Sequence, residues 1–354
     1  MQKANNSGIK KLQIVQEVEV SDTTKAYLQF KSRSTSNYFF KQVFYNLQFI
    51  SKSKFMQRRS FIRNAGLSAG LLALAPKDII AALFQVPAYK ITMLRNNVGI
   101  FTEKGGTILF YLSDEGIVVV DSEFPDQANH LIDDLKKRNS NPFKLLINTH
   151  HHGDHTGGNI AFKGLVEHVV GHENCLANYK RVAGEQKSED KQLFQDITFK
   201  DTWKHKIGKE KIKAYYFGPA HTNGDALIHF QNSNIVHIGD RMLNRMYPVV
   251  DKKAGASFLN WVKVLDKAQE TFDDQTIFVF GHGSNNAVVG SKDDLKGMQN
   301  YINQLLKLVD ENIKAGKTKD EITQITSVPN VGEWKDELKR IKSNLEAAYD
   351  ELTT

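Results

Sequence analysis

Residues 148–159 read Asn-Thr-His-His-His-Gly-Asp-His-Thr-Gly-Gly-Asn. Within them His150, His152, Asp154 and His155 can each bind a metal ion. His150 and His152 alternate, so on extended backbone they point the same way. Gly153 then lets the chain turn before Asp154 and His155. One short loop can therefore aim two ligands at one cation and two at a second. Imidazole with carboxylate suits zinc, and iron or manganese are also compatible. The chain has 12 His in 354 residues and four of them fall within 150–155, a density that a merely solvated loop does not explain.

The run at 143–147, Phe-Lys-Leu-Leu-Ile, predicts a buried strand. It sets the cluster on a loop at a strand end, where α/β proteins keep their chemistry. Upstream, residues 98–101, 107–112 and 117–121 read as strands divided by a Gly105-Gly106 turn and a turn at 113–116. Ile117 to Val120 are all apolar, which predicts a central strand covered on both faces. Residues 125–138 predict a helix, with Pro125 in its first turn and Ala128, Leu131, Ile132 and Leu135 on one stripe. Residues 166–170, 211–217, 226–230, 235–238 and 276–280 complete the predicted strands. Helices are expected over 255–272, with Phe258, Trp261, Val262, Leu265 and Ala268 inward, over 293–313, and over 334–352. Residues 174–195 predict a helix and loop of solvated character.

His-x-His-x-Asp-His after an apolar strand, followed by Thr-Gly-Gly, resembles the signature of the metallo-β-lactamase superfamily. The resemblance covers about residues 90–300. It implies an α/β protein with a four-layer αβ/βα sandwich and a one- or two-metal site at the edge between two sheets. It also implies the later ligands. His221, in Gly218-Pro219-Ala220-His221-Thr222-Asn223-Gly224-Asp225, matches the second metal motif, with Asp225 fixing that loop. Asp240, after residues 235–238 and Gly239, resembles the carboxylate that bridges both metals in the hydrolases of this superfamily. His282, between Gly281 and Gly283, matches the last ligand. Asp121 corresponds to an aspartate packed beneath the metal loop. The implied first site is His150, His152 and His221, and the second is Asp154, His155 and His282, with Asp240 between. His168, His172 and Cys175 stay outside it.

The sequence departs from the best-known lactamases at two points. They carry cysteine or serine where Asp240 stands, and Leu243 replaces the lysine with which one subclass grips the lactam carboxylate. Arg241 or Arg245 could instead bind an anionic substrate group. Three protein ligands at a metal leave room for water, as a catalytic zinc requires. The implied chemistry is therefore attack by a metal-bound hydroxide held by two Zn2+ per chain, with Asp154 and Asp240 as the catalytic carboxylates. Three readings stand: a dinuclear zinc hydrolase of an ester, thioester, lactone or amide; a β-lactamase proper; and a one-iron sulfur dioxygenase of the same superfamily. All take a small-molecule substrate.

The net charge of +7 is concentrated in the leader: residues 1–63 carry +9 and the remainder −2. That distribution excludes a nucleic-acid partner for the body. Residues 56–63, Met-Gln-Arg-Arg-Ser-Phe-Ile-Arg, resemble a twin-arginine export signal. The mild apolar run at 65–75 is too short to span a membrane and suits a signal core. The expected organisation is a non-native or disordered extension at 1–55, a twin-arginine signal at 56–85, a hydrolase domain at 90–300 and a C-terminal helical extension at 301–354. Met56 is then the expected start, cleavage falls near Ala75 or Ala82, and the destination is periplasmic or secreted after transient contact with the twin-arginine machinery. The single Cys175 excludes an internal disulfide.

Overall fold

The computed structural model describes residues 89–335 and 339–354. The expected extension at 1–55 and signal at 56–85 lie outside the described residues. Strands β1 (Lys90–Arg95), β2 (Val98–Thr102), β3 (Ile108–Ser113) and β4 (Gly116–Val120) form an antiparallel meander. Helix α1 (Pro125–Arg138) crosses to β5 (Phe143–Ile147), which pairs parallel with β4. The short helix α2 (Gly153–Thr156) and a 3-10 turn over Gly157–Phe162 lead to β6 (Val166–His172). Helix α3 (Glu173–Gln186) leads to β7 (Ile197–Phe199), and β5, β6 and β7 continue the sheet in parallel. The second sheet has the order β13-β12-β11-β10-β9-β8. Its strands are β8 (Thr202–Ile207), β9 (Glu210–Tyr215), β10 (Leu227–Phe230), β11 (Ile235–Asn244), β12 (Ile277–Gly283) and β13 (Val289–Gly290). Helices α4 (Phe258–Thr271), α5 (Lys292–Lys314), α6 (Lys319–Ile322) and α7 (Ile341–Thr353) complete the chain.

Strand alternation sorts the core into layers. Along β4, Val118 and Val120 pack between the sheets, while Ile117 and Val119 face α1 with Ala128, Leu131 and Leu135. Each position on this strand is buried, so an unbroken apolar run is what the place requires. The inter-sheet layer joins Leu109, Leu145 and Ile147 to Ile212, Ile228 and Val279. The outer face of the second sheet, with Val236, Ile238 and Phe278, is sealed by Trp261, Leu265, Leu305 and Leu345 from α4, α5 and α7. Helix, sheet, sheet, helix is the four-layer order expected.

Three expectations are corrected. Strand β11 does not stop at Ile238. Gly239, at φ 58, absorbs a bulge, and the strand resumes through Asp240 to Asn244, so Asp240 lies inside a strand. The helix expected over 334–352 begins only at Ile341. Its upstream backbone instead makes a bridge between Met246 and Lys335, and Lys339 sits in the left-handed region at φ 51. Arg241 is buried among backbone carbonyls and is not placed to bind an anionic substrate group. It is 1% exposed and its guanidinium donates to the Asp225 and Ile238 carbonyls. Arg245 instead lies 5.9 Å from the Trp334 ring.

The tail also braces α4. Glu351 on α7 accepts from Phe258 N at 2.8 Å, Leu259 N at 3.2 Å and the Ser257 hydroxyl, a carboxylate at a helix N-terminus. Helix α5 runs unbroken through residue 300, and its buried residues belong to the same core as Phe258 and Trp261.

Candidate metal centre

Apart from Asp240, which lies inside β11, the chain delivers its candidate ligands at or near strand ends. After β5, His150 and His152 sit on a loop rather than on extended strand, and α2 turns Asp154 and His155 back toward them. His221 follows β9, Asp240 comes from β11, and His282 lies near the end of β12. Two glycines let backbone approach closely. A Cβ at Gly106 would stand 2.1 Å from the His155 ring, and one at Gly281 would stand 1.9 Å from Asp240 Oδ1. The two sheets are stitched at this edge. Thr107 N and Oγ1 donate to the Gly281 carbonyl at 2.8 and 3.0 Å, and His237 Nε2 donates to Thr107 O at 2.7 Å.

Hydrogen bonds to one ring nitrogen set the direction of the other. His221 Nδ1 donates to Val249 O at 2.7 Å, which frees Nε2; that atom lies 2.9 Å from His152 Nδ1. His150 Nδ1 donates to Thr149 Oγ1 at 3.1 Å, and that hydroxyl donates to Asp121 Oδ2 at 2.7 Å. His150 Nε2 is then buried without a hydrogen-bond partner, 4.0 Å from Asp240 Oδ2. His155 Nδ1 donates to Asp121 Oδ2 at 2.8 Å. Its Nε2 faces Asp240 Oδ1 at 3.0 Å, Asp154 Oδ2 at 3.8 Å and His282 Nε2 at 3.4 Å. His282 Nε2 lies 3.0 Å from Asp154 Oδ2 and 3.5 Å from Asp240 Oδ2.

These distances suit shared cations. Two ligands about 2.1 Å from one tetrahedral ion stand about 3.4 Å apart. His150, His152, His221 and Asp240 form one such group, and Asp154, His155 and His282 another. Asp240 reaches both, with His221 Nε2 at 3.7 Å and His282 Nε2 at 3.5 Å from its Oδ2. Facing imidazole lone pairs repel unless a proton or cation lies between them.

The electrostatics divide accordingly. Burial holds His150 far below the ordinary imidazole value and brings His221 to about 4, so both are neutral, as ligands must be. Burial also opposes charge on His155, but Asp240, Asp154 and Asp121 outweigh it and raise its pKa well above normal. Burial would raise Asp154 and Asp240; His155 and His282 override it, bringing Asp154 to about 2 and Asp240 well down. Positive charge is wanted beside the buried Asp121 and Asp240 and the partly exposed Asp154, and a divalent ion would supply it.

The remaining expected residues fall where their roles require. Asp121 accepts from Thr149 N at 2.8 Å and so holds the loop from beneath. Asp225 accepts from Thr222 N at 2.8 Å and Oγ1 at 2.6 Å. His168 pairs with Asp196, His172 caps α3, and Cys175 is buried beside Gln195. Helix α3, expected to be solvated, buries Cys175, Asn178, Tyr179 and Ala183 and brings Val182 and Gln186 to a cavity of about 510 Å³ over the cluster.

Sequence reading missed two residues. His152 uses its second nitrogen, Nε2, to donate to Asp251 Oδ2 at 2.9 Å. His151, 2% exposed, also faces that oxygen, at 3.5 Å, and lines the cavity. Strand alternation would turn His151 away, but the backbone here is not a strand. For Asp251 no local signal exists, since it lies 99 residues from its partner.

The sequence pattern of the metallo-beta-lactamase superfamily matches residues 102–297, more than half of the chain. The type 2 metallo-beta-lactamase of Elizabethkingia meningoseptica is 23% identical over 222 residues, 60% of this chain and 86% of that protein. A metallo-beta-lactamase of Chryseobacterium indologenes is 22% identical over 200 residues, 53% of this chain and 80% of that protein. Among solved structures, a metallo-beta-lactamase from Pontibacter korlensis superposes with a TM-score of 0.51 at 21% identity, covering 61% of this chain and 99% of that one. A double mutant of the sec-alkyl sulfatase PisA1 superposes with a TM-score of 0.58 at 14% identity, covering 75% of this chain and 50% of that one. With the ligand segments in order along a two-sheet sandwich and the family pattern matched across them, this chain belongs to the metallo-beta-lactamase superfamily.

Proposed function

We propose that the protein is a dinuclear zinc hydrolase that opens an ester, thioester, lactone or amide carbonyl, and that it acts in the periplasm or outside the cell after twin-arginine export. The observation that carries the hydrolase reading is the pair of three-ligand groups sharing Asp240. His150, His152 and His221 would hold the first ion, and Asp154, His155 and His282 the second. Such ions, when bound, supply a Lewis acid for the carbonyl oxygen and a water acidic enough to serve as nucleophile near pH 7.

The chain's own residues prepare this chemistry. Asp121, through Thr149 and His155, fixes ring orientations from below, and Val249 O does so for His221. Val182, Leu243, Met246 and Val249 give the cavity an apolar wall that limits water around a bound substrate. At about 2, Asp154 is a weak base, so its role as ligand precedes any role in proton transfer. Support for export comes from Arg58-Arg59 and the short apolar run after it.

β-Lactam hydrolysis is a second reading, favoured by the names of the relatives. Asp240 and Leu243 weigh against it. Elemental analysis of purified protein, with a panel of chromogenic cephalosporin, lactone, thioester and phosphodiester, separates these readings. Two zinc ions per chain with lactone or thioester turnover is expected. His152→Ala should lose activity and one ion. Cephalosporin turnover alone would establish the second reading, and a single iron would replace both with the dioxygenase.

A further inference from the structure

Among the described residues a third group could hold a cation: His151, His152 and Asp251, whose ligand atoms all lie within 4.8 Å of one another. His151 is what marks it as a site. Its ring is 2% exposed, and neither ring nitrogen has a hydrogen-bond partner. A buried polar atom without a partner costs stability, and an ion on Nε2 removes one of these two costs. That atom is aimed at the Asp251 carboxylate, 3.5 Å from Oδ2, and His152 Nε2 lies 2.9 Å from the same oxygen. The two rings stand 4.6 Å apart between centroids. Two ligands of one tetrahedral ion are expected about 3.4 Å apart, and these separations fall on either side of that value. The carboxylate is held from behind. Asp251 Oδ1 accepts from Ala254 N at 3.1 Å, and Asp251 N donates to His221 O at 3.2 Å. All three residues line the cavity, so an ion can reach them from solvent.

We propose that His151 Nε2, His152 Nε2 and Asp251 Oδ2 form a third divalent-cation site, weaker than the other two, which zinc fills when in excess and which then slows turnover by drawing His152 from the first group. The weakness and the inhibition have one source. A neutral imidazole has a single lone pair, and His152 turns Nδ1 to His221 Nε2 at 2.9 Å, inside the first group. An ion on Nε2 takes that lone pair and leaves the ring proton on Nδ1, facing the first ion. The first ion then keeps His150, His221 and Asp240. The binding site stands on these residues alone, and the inhibition rests on the hydrolase reading above.

Equilibrium dialysis of full-length protein against buffered free zinc, with bound metal counted by mass spectrometry, reads the site without any substrate. Wild type should add one ion per chain at higher free zinc than the tightly bound ions need. Loss of an outer partner of a metal ligand costs about tenfold to a hundredfold in affinity, and His151→Phe removes a direct ligand. That variant should therefore weaken the last step by more than about a hundredfold while the tight ions stay bound. Should His151→Phe fail to fold, His151→Asn, smaller and polar, carries the same comparison. Turnover of whichever ester, lactone or thioester is accepted should fall over the zinc range in which the last ion binds, and the His151 variants should resist that fall relative to their own starting rates. No added ion in wild type, or one that binds the variants equally well, would overturn the site. An added ion with no loss of turnover would overturn the competition for His152. If no substrate is turned over, the hydrolase reading falls and the dialysis still decides the site.

Discussion

Asp251 offers the sharpest check on how the first ligand group is held. Its Oδ2 accepts from His152 Nε2 at 2.9 Å, and its Oδ1 accepts from Ala254 N at 3.1 Å, capping the turn over Lys252–Ala254. The His151 ring 3.5 Å away and the hydrogen bond from His152 keep its carboxyl far below the usual range, so it is an anion at any working pH. Asp251→Asn retains a side-chain oxygen for the cap and removes the charge. A hydrogen bond to a charged group contributes about 1.5–3 kcal/mol against about 1 for a neutral one. The loss is therefore about 1–2 kcal/mol of support for His152 in its metal-facing tautomer. That corresponds to a fall of roughly tenfold in affinity for the first ion, within the range seen for outer carboxylates of metal-bound histidines. Competition against a fluorescent chelator should show this weakening for one ion, with the other unchanged. Urea midpoints of the metal-free proteins should differ little for Asp251→Asn. Asp251→Ala, which also loses the cap, should cost about 1 kcal/mol more. Wild-type affinity in Asp251→Asn would refute the orienting role.

Further outcomes follow from the same geometry. Gly106→Ala places a Cβ 2.1 Å from the His155 ring, so the ring must move; the second ion should bind at least about tenfold more weakly and stability should drop about 1–3 kcal/mol, read by chelator competition and urea unfolding. His229 packs between Tyr215 and Phe272, and burial lowers its pKa to about 4. Below about pH 6.5 the unfolded chain takes a proton that the folded chain refuses until about 4, so stability falls over that window. His229→Phe should therefore be about 2 kcal/mol more stable relative to wild type at pH 5 than at pH 7, and an equal difference at both pH values would refute the buried neutral imidazole. Removing metal by chelation should lower the melting temperature by roughly 15–30 °C if each of two ions is held at about a thousand times its dissociation constant, and re-addition of zinc should restore it.

The cluster at 150–155 was legible from its own density of histidine and carboxylate, and His221, Asp240 and His282 from the resemblance to the superfamily; the structure brings these side chains together. The layer order followed from the same alternation, as at Ile117 to Val120. What stayed hidden depends on distance in sequence. Nothing near Asp251 announces His152. Strand β11 was cut short because Gly239 reads as a terminator, whereas its left-handed backbone makes it a bulge. Arg241 was misplaced because composition does not reveal that two carbonyls await a buried guanidinium. The segment after Trp334 has helical composition, but its backbone groups serve the edge at Met246 to Tyr247 first.

Glu351 ties the last turn of the chain to the start of α4, and α4 sets Trp261 against His221 at 6.1 Å between ring centroids. Mechanical integrity at the far terminus thus reaches a ligand through one helix. Trimming the polypeptide back to the family-matched portion would uncover Trp261 and Leu265 and loosen His221 together. Variation in this tail therefore couples two traits that many enzymes evolve separately, the shape of the substrate entrance and the rigidity of the ions' seat.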